Sequence, residues 1–385
     1  MKKSLFQLPI LLLIAAATSS CSKDETTDSS EIDRNRYVGT YINIVRANYS
    51  DSYTTAQELE HAVASFTANP TESGLNACKN AWIAARAPYG QTEAFRFYGG
   101  PIDDEDGPEG LLNAWPMDEA FIDYVQGSPA SGIINDPVNY PQISKEVLEQ
   151  LNESISETSI FTGYHAIEFL LWGQDLSASG PGNRPYTDFL TGVSATAPNG
   201  DRRCQYLQAV TELLLDNLND VKSQWDDNQG YPKTFLMGGT LDCLNKIFTS
   251  IGELSKGELA GERMIVAVDS EDQENEHSCF SDNTVADIRM NYQGIKNLLL
   301  GSYTSSDGTV TNGYSLIELG LKYQPEATKK VTESITACDA AIAAIPSPFD
   351  QAILYNQNEI LTAADELKKL SDYCTELGFR LGAYN

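Results

Sequence analysis

Apolar residues recur with helical spacing along most of the chain, and sustained two-residue alternation is nearly absent. One run takes steps of three and four residues between positions 207 and 225, and another continues between positions 353 and 377. Steps of this size place apolar side chains on one face of an α-helix, whereas a half-buried strand alternates. Glycine and proline concentrate in the connectors between such runs. Long helices with these connectors predict an all-α fold built from helical bundles.

The periodicity predicts helices at 33–49, 52–69, 73–97, 116–126, 142–157, 161–172, 202–227, 240–268, 282–301, 315–345 and 349–381. Pro88 is expected to kink or divide the third of them. The stretch 173–200 has little periodicity, so we divide the chain there into an N-terminal half, 33–200, and a C-terminal half, 201–385. A short similarity between 91–96 and 259–264 raises the hypothesis that the halves are a pseudo-duplication.

The N-terminus has the pattern of an export signal. Two lysines precede a short apolar stretch that ends in small residues and then Cys21. This resembles a bacterial lipobox, although Thr18 stands where leucine is usual. We therefore predict a lipoprotein signal peptide over 1–20, lipidation of Cys21 and a flexible tether over 21–32. The expected location is the cell envelope, as an outer-membrane lipoprotein that faces the periplasm or, as residues 22–25 hint, the cell surface.

Charge and cysteine content narrow the class of protein further. The formal net charge is −28, which leaves no basic footprint for nucleic acid, and none is expected as a partner. No Cys-x-x-Cys motif marks a zinc knuckle or a covalent haem. Beyond Cys21, disulfides and buried free thiols both remain open for Cys78, Cys204, Cys243, Cys279, Cys338 and Cys374.

Residues 161–173 form the segment most informative about function. His165 and Glu168 lie three apart in an otherwise almost wholly apolar helix, so they share one face of a helix that should be buried. A buried carboxylate is costly unless it is paired, hydrogen-bonded or bound to a metal. The pair is therefore either a site or a structural tie between helices.

Two further groups of residues carry candidate chemistry. His277 follows Glu276 in a polar run that ends near Asp282, where Ser281 or Asp282 could cap the next helix. The remaining histidine, His61, lies in a charged helix and is expected on the surface. A third cluster with helical spacing contains Arg86, Tyr89, Glu93 and Arg96; its arginines could neutralise a buried carboxylate, hold an anion, or simply be paired in the core.

Together these residues resemble the imelysin-like family. Gly163, His165 and Glu168 fit its Gly-x-His-x-x-Glu signature, and the stretches 82–95 and 261–284 also look like that family. The resemblance implies two helical bundle-like halves with a site between them, and it adds Glu262 and Arg263 to the residues near that site. It also implies an envelope location, a link to iron uptake and a nominal metallopeptidase assignment.

The sequence lacks the second zinc-binding histidine that a metallopeptidase of the known motifs would have. Zinc peptidases place two histidines one helical turn apart, but Phe169 follows Glu168 where the inverted motif has its second histidine. Only His277, with carboxylates, could complete such a site. Nitrogen and oxygen ligands suit iron, zinc or manganese, so iron or zinc is the expected cofactor, and haem stays open. A third class is a metal-free protein that binds a peptide or a partner.

The favoured hypothesis is an exported, lipid-anchored protein that binds iron, or a ligand carrying iron, in iron acquisition. The predicted metal ligands are His165, Glu168, Glu276, His277 and Asp282. The predicted ligand-binding or supporting residues are Arg86, Tyr89, Glu93, Arg96, Glu262 and Arg263. Metallopeptidase activity and metal-free binding are the alternatives.

Overall fold

A computed structural model describes residues 29–226 and 230–384. The predicted signal peptide, Cys21 and most of the predicted tether lie outside the described residues. The helices are α1 (Ser29–Ala68), α2 (Glu72–Thr92), α3 (Glu109–Leu112), α4 (Lys145–Leu151), α5 (Gly163–Trp172), α6 (Gly200–Trp225), α7 (Tyr231–Leu236), α8 (Gly239–Glu253), α9 (Val266–Ser270), α10 (Thr284–Leu300), α11 (Leu316–Tyr323), α12 (Pro325–Ala343), α13 (Phe349–Tyr355) and α14 (Gln357–Leu381). A π-helical segment, Leu254–Ile265, joins α8 to α9. The predicted all-α fold is confirmed.

Helix α1 is one long helix where the sequence pattern predicted two. The polar residues at the expected break are satisfied by tertiary contacts: Asp51 accepts hydrogen bonds from the Tyr303 hydroxyl, at 2.6 Å, and from the backbone N–H of Ser306, at 2.8 Å. The Ser52 hydroxyl donates to the carbonyl of Asn48 at 2.9 Å, within the helix. Because α1 begins at Ser29, the last residues assigned to the tether are helical.

Other boundaries also differ from the predicted ones. The segment 116–126 contains only a 3-10 turn, Glu119–Phe121, because the side chain of Asp118 accepts a bond from Ala120 and caps a single turn. The predicted helix 315–345 is interrupted where Pro325 begins α12, and 349–381 is interrupted at Asn356. Pro88 does not divide α2, which continues to Thr92.

A small antiparallel hairpin is the β-structure among the described residues. Strand β1, Ser302–Thr304, pairs with β2, Val310–Asn312, so that Tyr303 lies opposite Thr311. Tyr303 is fully buried and its hydroxyl reaches Asp51 on α1. The hairpin therefore fixes the end of α10 to the middle of α1.

Helix α1 is the centre of the packing. It contacts α2 and α6 along much of its length, and it also contacts α8 and α11 from the C-terminal half. Helix α10 packs on α2 so closely that a Cβ on Gly294 would lie 2.3 Å from the carbonyl oxygen of Gln91. Helix α14 packs on α8, α12 and the π segment. The helices of the two predicted halves thus share one hydrophobic core, while the division into halves stays a prediction.

The described residues show the state of the cysteines and whether any helix could span a membrane. All six cysteines there are free thiols, five of them buried, so no disulfide forms within this part of the chain. In the same part, none of the helices combines the length and the apolar character that crossing a bilayer requires.

Candidate functional site

Helix α5 carries the His165–Glu168 pair, and every one of its residues is buried. Its first residue, Gly163, has φ 80°, and a Cβ there would lie 2.5 Å from the carbonyl oxygen of Leu112. Only glycine combines this conformation with so close a contact. The glycine of the motif therefore allows α5 to start tightly against the end of α3, and this start sets the position of His165 two residues later.

His165 and Glu168 are hydrogen-bonded to each other. His165 Nδ1 lies 3.0 Å from Glu168 Oε2, and both side chains are fully buried. Glu168 Oε1 accepts two more bonds from the other half of the chain, from Ser281 N at 2.9 Å and Ser281 Oγ at 2.6 Å. Burial raises the pKa of Glu168 to about 8, although the Ser281 hydroxyl works against this rise. Glu168 thus fixes the ring of His165 and joins α5 to the segment before α10.

His277 lies directly against His165. The centroids of the two imidazole rings are 4.7 Å apart in an edge-to-face arrangement, and Trp115 packs on His165 at 4.9 Å. Within the described chain, neither His165 Nε2 nor His277 Nε2 has a hydrogen-bond partner, although both atoms are buried. Burial, followed by nearby arginines, holds the pKa of each ring well below its usual range. Both imidazoles are therefore neutral at physiological pH.

Arg86 is a core residue and not an exposed anion-binding group. Its Nε and Nη2 contact the two carboxylate oxygens of Asp287 at 3.2 Å each, and its Nη1 donates to Asn113 at 2.6 Å. The guanidinium also lies over the rings of Tyr89 and Tyr164. Tyr89 is fully buried beside it. The interpretation of Arg86 as a paired core arginine fits this geometry.

Glu93, Arg96 and Arg263 form a second cluster closer to solvent. Glu93 Oε2 accepts from Arg96 at 2.8 Å and from Arg263 at 2.7 Å, and Arg263 also donates to Asn291 at 2.6 Å. Burial by itself would raise the pKa of Glu93, but Arg96 and Arg263 outweigh it and hold the pKa at about 2. The short similarity between 91–96 and 259–264 thus falls on two segments that are ion-paired.

A cleft of about 390 Å³ extends from this cluster to His277. Its wall includes His277, Trp115 and the two arginines, so solvent reaches the site from this side. The carboxylates that line it are Glu109, Glu153, Glu157, Glu258 and Glu262. Arg96 is already paired with Glu93 and Glu109, and Arg263 with Glu93 and Glu258. The cleft is therefore net acidic.

The remaining predicted ligands have different surroundings. The charged groups that act most strongly on Glu276 are Asp350, Asp282 and Asp175, and neither histidine is among them. The structure therefore brings His165, Glu168 and His277 together and places Glu276 and Asp282 among other carboxylates. Across the described residues, no three His, Cys, Asp or Glu side chains are already arranged to hold a metal ion.

Sequence reasoning missed several residues at or near the site. Trp115, which covers His165, lies in an irregular segment without periodicity, and Ser281 was considered only as a helix cap. A buried network was also missed: Asp123 accepts from Arg203 Nε at 2.6 Å and from Arg184 at 2.8 Å. These partners are separated by dozens of residues in the chain, so no local spacing could have revealed them.

The fit of the site to a metal rests on the two orphaned ring nitrogens. With Glu168 ionised, His165 Nδ1–H donates a hydrogen bond to Glu168 Oε2, and the lone pair of Nε2 then faces away from Glu168 and can bind an electrophile, which is the usual outer-shell arrangement of metal-ligating histidines. His277 Nε2, also buried and without a partner among the described residues, offers a second such nitrogen, and His277 itself lines the cleft. The residues present therefore supply two nitrogen ligands and leave further positions open.

The fold and site define an all-α protein with a buried histidine pair beside an acidic cleft. The model of the imelysin family, designated peptidase M75, matches residues 45–373, and the chain belongs to that family. It is 24% identical over 371 residues to iron-regulated protein A of Synechococcus elongatus, an alignment that covers 93% of this chain and 88% of that protein.

Two solved structures share the fold. A protein of Parabacteroides distasonis, assigned as an iron-regulated protein A precursor, superposes with a TM-score of 0.70 at 18% identity, over 91% of this chain and 95% of that one. An imelysin-like protein of Psychrobacter arcticum superposes with a TM-score of 0.58 at 14% identity, over 91% and 93% of the two chains. At these identities the likeness concerns the fold alone.

Proposed function

We propose that this protein binds iron, as the cation or in a small complex, at the His165–His277 pair and acts in iron acquisition. The observation that carries the proposal is the pair of neutral imidazoles, with ring centroids 4.7 Å apart and two buried Nε2 atoms that lack partners among the described residues. A buried nitrogen without a partner is costly, and a metal ion would satisfy both nitrogens at once.

The surroundings favour a cation as cargo. Five glutamates line the cleft next to His277, and its two arginines are neutralised by Glu93, Glu109 and Glu258. An acidic cleft raises the local concentration of cations and speeds their entry. Two protein nitrogens leave most of the coordination sphere of iron to water or to a small chelator, so release remains easy. The name of the relative, iron-regulated protein A, also supports a role connected with iron.

Anaerobic titration of the purified protein with Fe²⁺ tests the proposal. We expect saturable binding at one fixed stoichiometry, lost or at least about tenfold weaker in His165→Ala and in His277→Ala. His61→Ala is the matched control, because this third histidine has 79% of its side chain exposed and should not contribute. Circular dichroism of each variant shows whether the fold persists.

Two outcomes would overturn the proposal. One is a folded protein that takes up no Fe²⁺, and the other is uptake that survives unchanged in both histidine variants. The second outcome would place the metal elsewhere, and the His165–Glu168 pair would then be a tie between α5 and the segment before α10.

The proposal includes export and attachment to the outer membrane through a lipid on Cys21, with display toward the periplasm or the cell surface. The support is the sequence pattern, since Cys21 lies outside the described residues. Phase partitioning of cell extracts in a nonionic detergent tests it: the protein should enter the detergent phase, and Cys21→Ser should move it to the aqueous phase. A protein that stays aqueous in both forms contradicts the anchor.

The two alternative functions have less support. A catalytic zinc site takes three protein ligands, and the described residues contain no arranged group of three. In addition, both carboxylate oxygens of Glu168 are engaged, by His165 and by Ser281. No specific observation favours the peptidase or a metal-free peptide-binding role.

A further inference from the structure

A second cavity, of about 400 Å³, lies beside the last residue of α5, whereas His165 lies in the first turn of that helix. We call it the α5 cavity, and the residues that line it are 124–126, 172–177 and 181–185. Apolar side chains contribute to its wall, among them Trp172, Tyr124 and Leu176, and Leu176 leaves 64% of its surface exposed. A cavity of this size with apolar walls and a few polar groups is the usual form of a small-molecule site.

Hydrogen bonds hold the three stretches of the wall together. The backbone N–H of Arg184 donates to the carbonyl of Trp172 at 2.7 Å, and the backbone N–H of Gln126 donates to Gln174 Oε1 at 2.6 Å. A Cβ on Gly182 would lie 2.7 Å from the carbonyl oxygen of Trp172, so only glycine allows this close approach. The cavity is therefore formed in advance of any ligand.

Arg184 supplies a hydrogen-bond donor that the described residues do not use. Only 4% of Arg184 is exposed; its Nη1 contacts Asp123 at 2.8 Å and Asp188 at 3.4 Å, but its buried Nε has no partner in the described chain. Gly173, which also lines the cavity, has φ 73°, and the three atoms nearest to a Cβ there would all belong to Arg184, with Nε at 3.6 Å. The absence of a side chain at Gly173 thus leaves room beside the Nε–H group.

Asp175 supplies an acceptor and a charge that has no counter-ion. It exposes 3% of its surface, and its Oδ1 accepts from the backbone N–H of Ser177 at 2.9 Å, while its buried Oδ2 has no partner among the described residues. In the same part of the chain, no lysine, arginine or histidine is paired with Asp175, whereas Arg184 is paired with Asp123. Since a buried carboxylate without a cation is costly, the cavity favours a ligand that brings a positive charge.

We propose that the α5 cavity binds a small amino compound with an apolar body, of which a free apolar amino acid is the simplest example. Its ammonium group pairs with Asp175, and its carboxylate accepts a hydrogen bond from Arg184 Nε. Its side chain lies against Trp172 and Leu176. This site is separate from the histidine pair and does not depend on iron.

The chemistry of the wall disfavours other small molecules. A purely apolar molecule would leave Arg184 Nε and Asp175 Oδ2 unpaired in a drier cavity, which costs free energy. An anion without an ammonium group would add a second negative charge beside Asp175. Ordered water is the remaining alternative, because water can satisfy both polar atoms without any ligand.

Isothermal calorimetry of the purified protein with L-leucine and two matched fragments of it tests the proposal. 4-Methylpentanoic acid is leucine without the ammonium group, and 3-methylbutylamine is leucine without the carboxylate. We expect saturable binding of leucine, and binding of each fragment that is about tenfold weaker or more, because each fragment loses one hydrogen bond to a charged group. Equal binding of leucine and 4-methylpentanoic acid would overturn the role of Asp175 and with it the proposal.

Two variants and a control locate the ligand. Asp175→Asn should weaken leucine about tenfold and abolish the preference for leucine over 4-methylpentanoic acid, a change that general loss of structure would not produce. Leu176→Ala removes an exposed apolar wall residue and should weaken leucine severalfold. Val193→Ala, at an exposed apolar residue outside the cavity lining, should leave binding unchanged. Circular dichroism shows whether each variant is folded.

Two further outcomes would overturn the inference. One is a folded protein without saturable leucine binding, which would mean that the cavity holds water alone. The other is leucine binding that stays unchanged in both Asp175→Asn and Leu176→Ala, which would place the ligand elsewhere. His165→Ala should keep leucine binding while it loses Fe²⁺ binding, so this inference and the proposed iron function fail independently.

Discussion

At the scale of single residues, the buried ionisable groups divide into those with partners and those without. Asp123, Asp287 and Glu93 are each paired with arginines at hydrogen-bonding distance. His165 Nε2 and the oxygens of Glu276 have no such partner in the described part of the chain. Pairing makes a buried charge structural, whereas a buried polar atom without a partner leaves room for a water, an ion or a ligand. This distinction, more than any motif, separates the core arginines from the candidate sites.

Glu93 should make stability depend on pH. Its pKa is about 2 in the folded protein, below the ordinary value of 4.5, because Arg96 and Arg263 outweigh the opposing effect of burial. A lowered folded-state pKa stabilises the protein above the unfolded pKa, and the contribution is lost as the pH falls from there toward 2. Glu93→Gln should therefore lower the free energy of unfolding by about 3 kcal/mol at pH 7 and by roughly half as much at pH 3.

Urea unfolding of the wild type and Glu93→Gln at the two pH values measures this difference. The control is Glu149→Gln, which changes an exposed glutamate on α4 and should have a small effect at either pH. A cost of Glu93→Gln that is equal at pH 3 and pH 7 would contradict the ion-pair account.

At this scale, the sequence allowed a pair of interacting residues to be predicted only when the two lie close together along the chain. His165 and Glu168 could be paired in advance because three residues on one helix share a face. The partnership of Asp123 with Arg203, or of Glu168 with Ser281, depends on how helices and loops pack. The local pattern contains no information on such long-range pairs, so they could not be predicted from one sequence.

At the scale of secondary-structure elements, the start of α5 controls where the histidine pair lies. Gly163→Ala would place a Cβ at φ 80° and 2.5 Å from the carbonyl oxygen of Leu112. The left-handed conformation alone costs about 1 kcal/mol or more for alanine. The clash adds to this and displaces α5. We expect a loss of about 2 kcal/mol or more in the free energy of unfolding, and weaker Fe²⁺ binding.

Gly39→Ala is the matched control for Gly163→Ala. Gly39 lies within α1, and a Cβ there would meet no atom within 4 Å. Alanine should therefore stabilise α1 by about 0.5 to 1 kcal/mol, since it favours the helix more than glycine does. Urea unfolding of both variants gives the comparison. Two changes of the same sign and size would show that the environment of Gly163 is unimportant.

The π-helical segment, Leu254–Ile265, is a feature that the sequence pattern did not predict. The periodicity predicted one regular helix over 240–268, and the chain is indeed helical there, from α8 through α9. A regular 3.6-residue pattern does not reveal the change to π-helix at Leu254, within which Arg263 donates to Glu93 and Asn291. The helix over this stretch was thus predictable as an element, while its change of winding was not.

At the scale of the whole molecule, the predicted halves are tied together by buried polar contacts. Arg86 of α2 pairs with Asp287 of α10, Glu93 pairs with Arg263, and Glu168 accepts from Ser281. Helix α6 lies beyond the predicted boundary but packs on α1 and α5. Because these contacts cross the boundary in both directions, neither half can bury its polar groups or its core alone. We therefore expect cooperative unfolding of the described fold as one unit.

The distribution of tryptophan makes this expectation testable. All four tryptophans lie at or before position 225, so their fluorescence reports on the N-terminal half and α6, whereas far-UV circular dichroism also reports on α8 to α14. If the chain unfolds as one unit, both signals share one urea midpoint and one m-value. Asp287→Asn, which weakens the Arg86 pair across the boundary, should then lower both midpoints together. Separate midpoints, or a shift of only one signal in Asp287→Asn, would instead show two lobes that unfold independently.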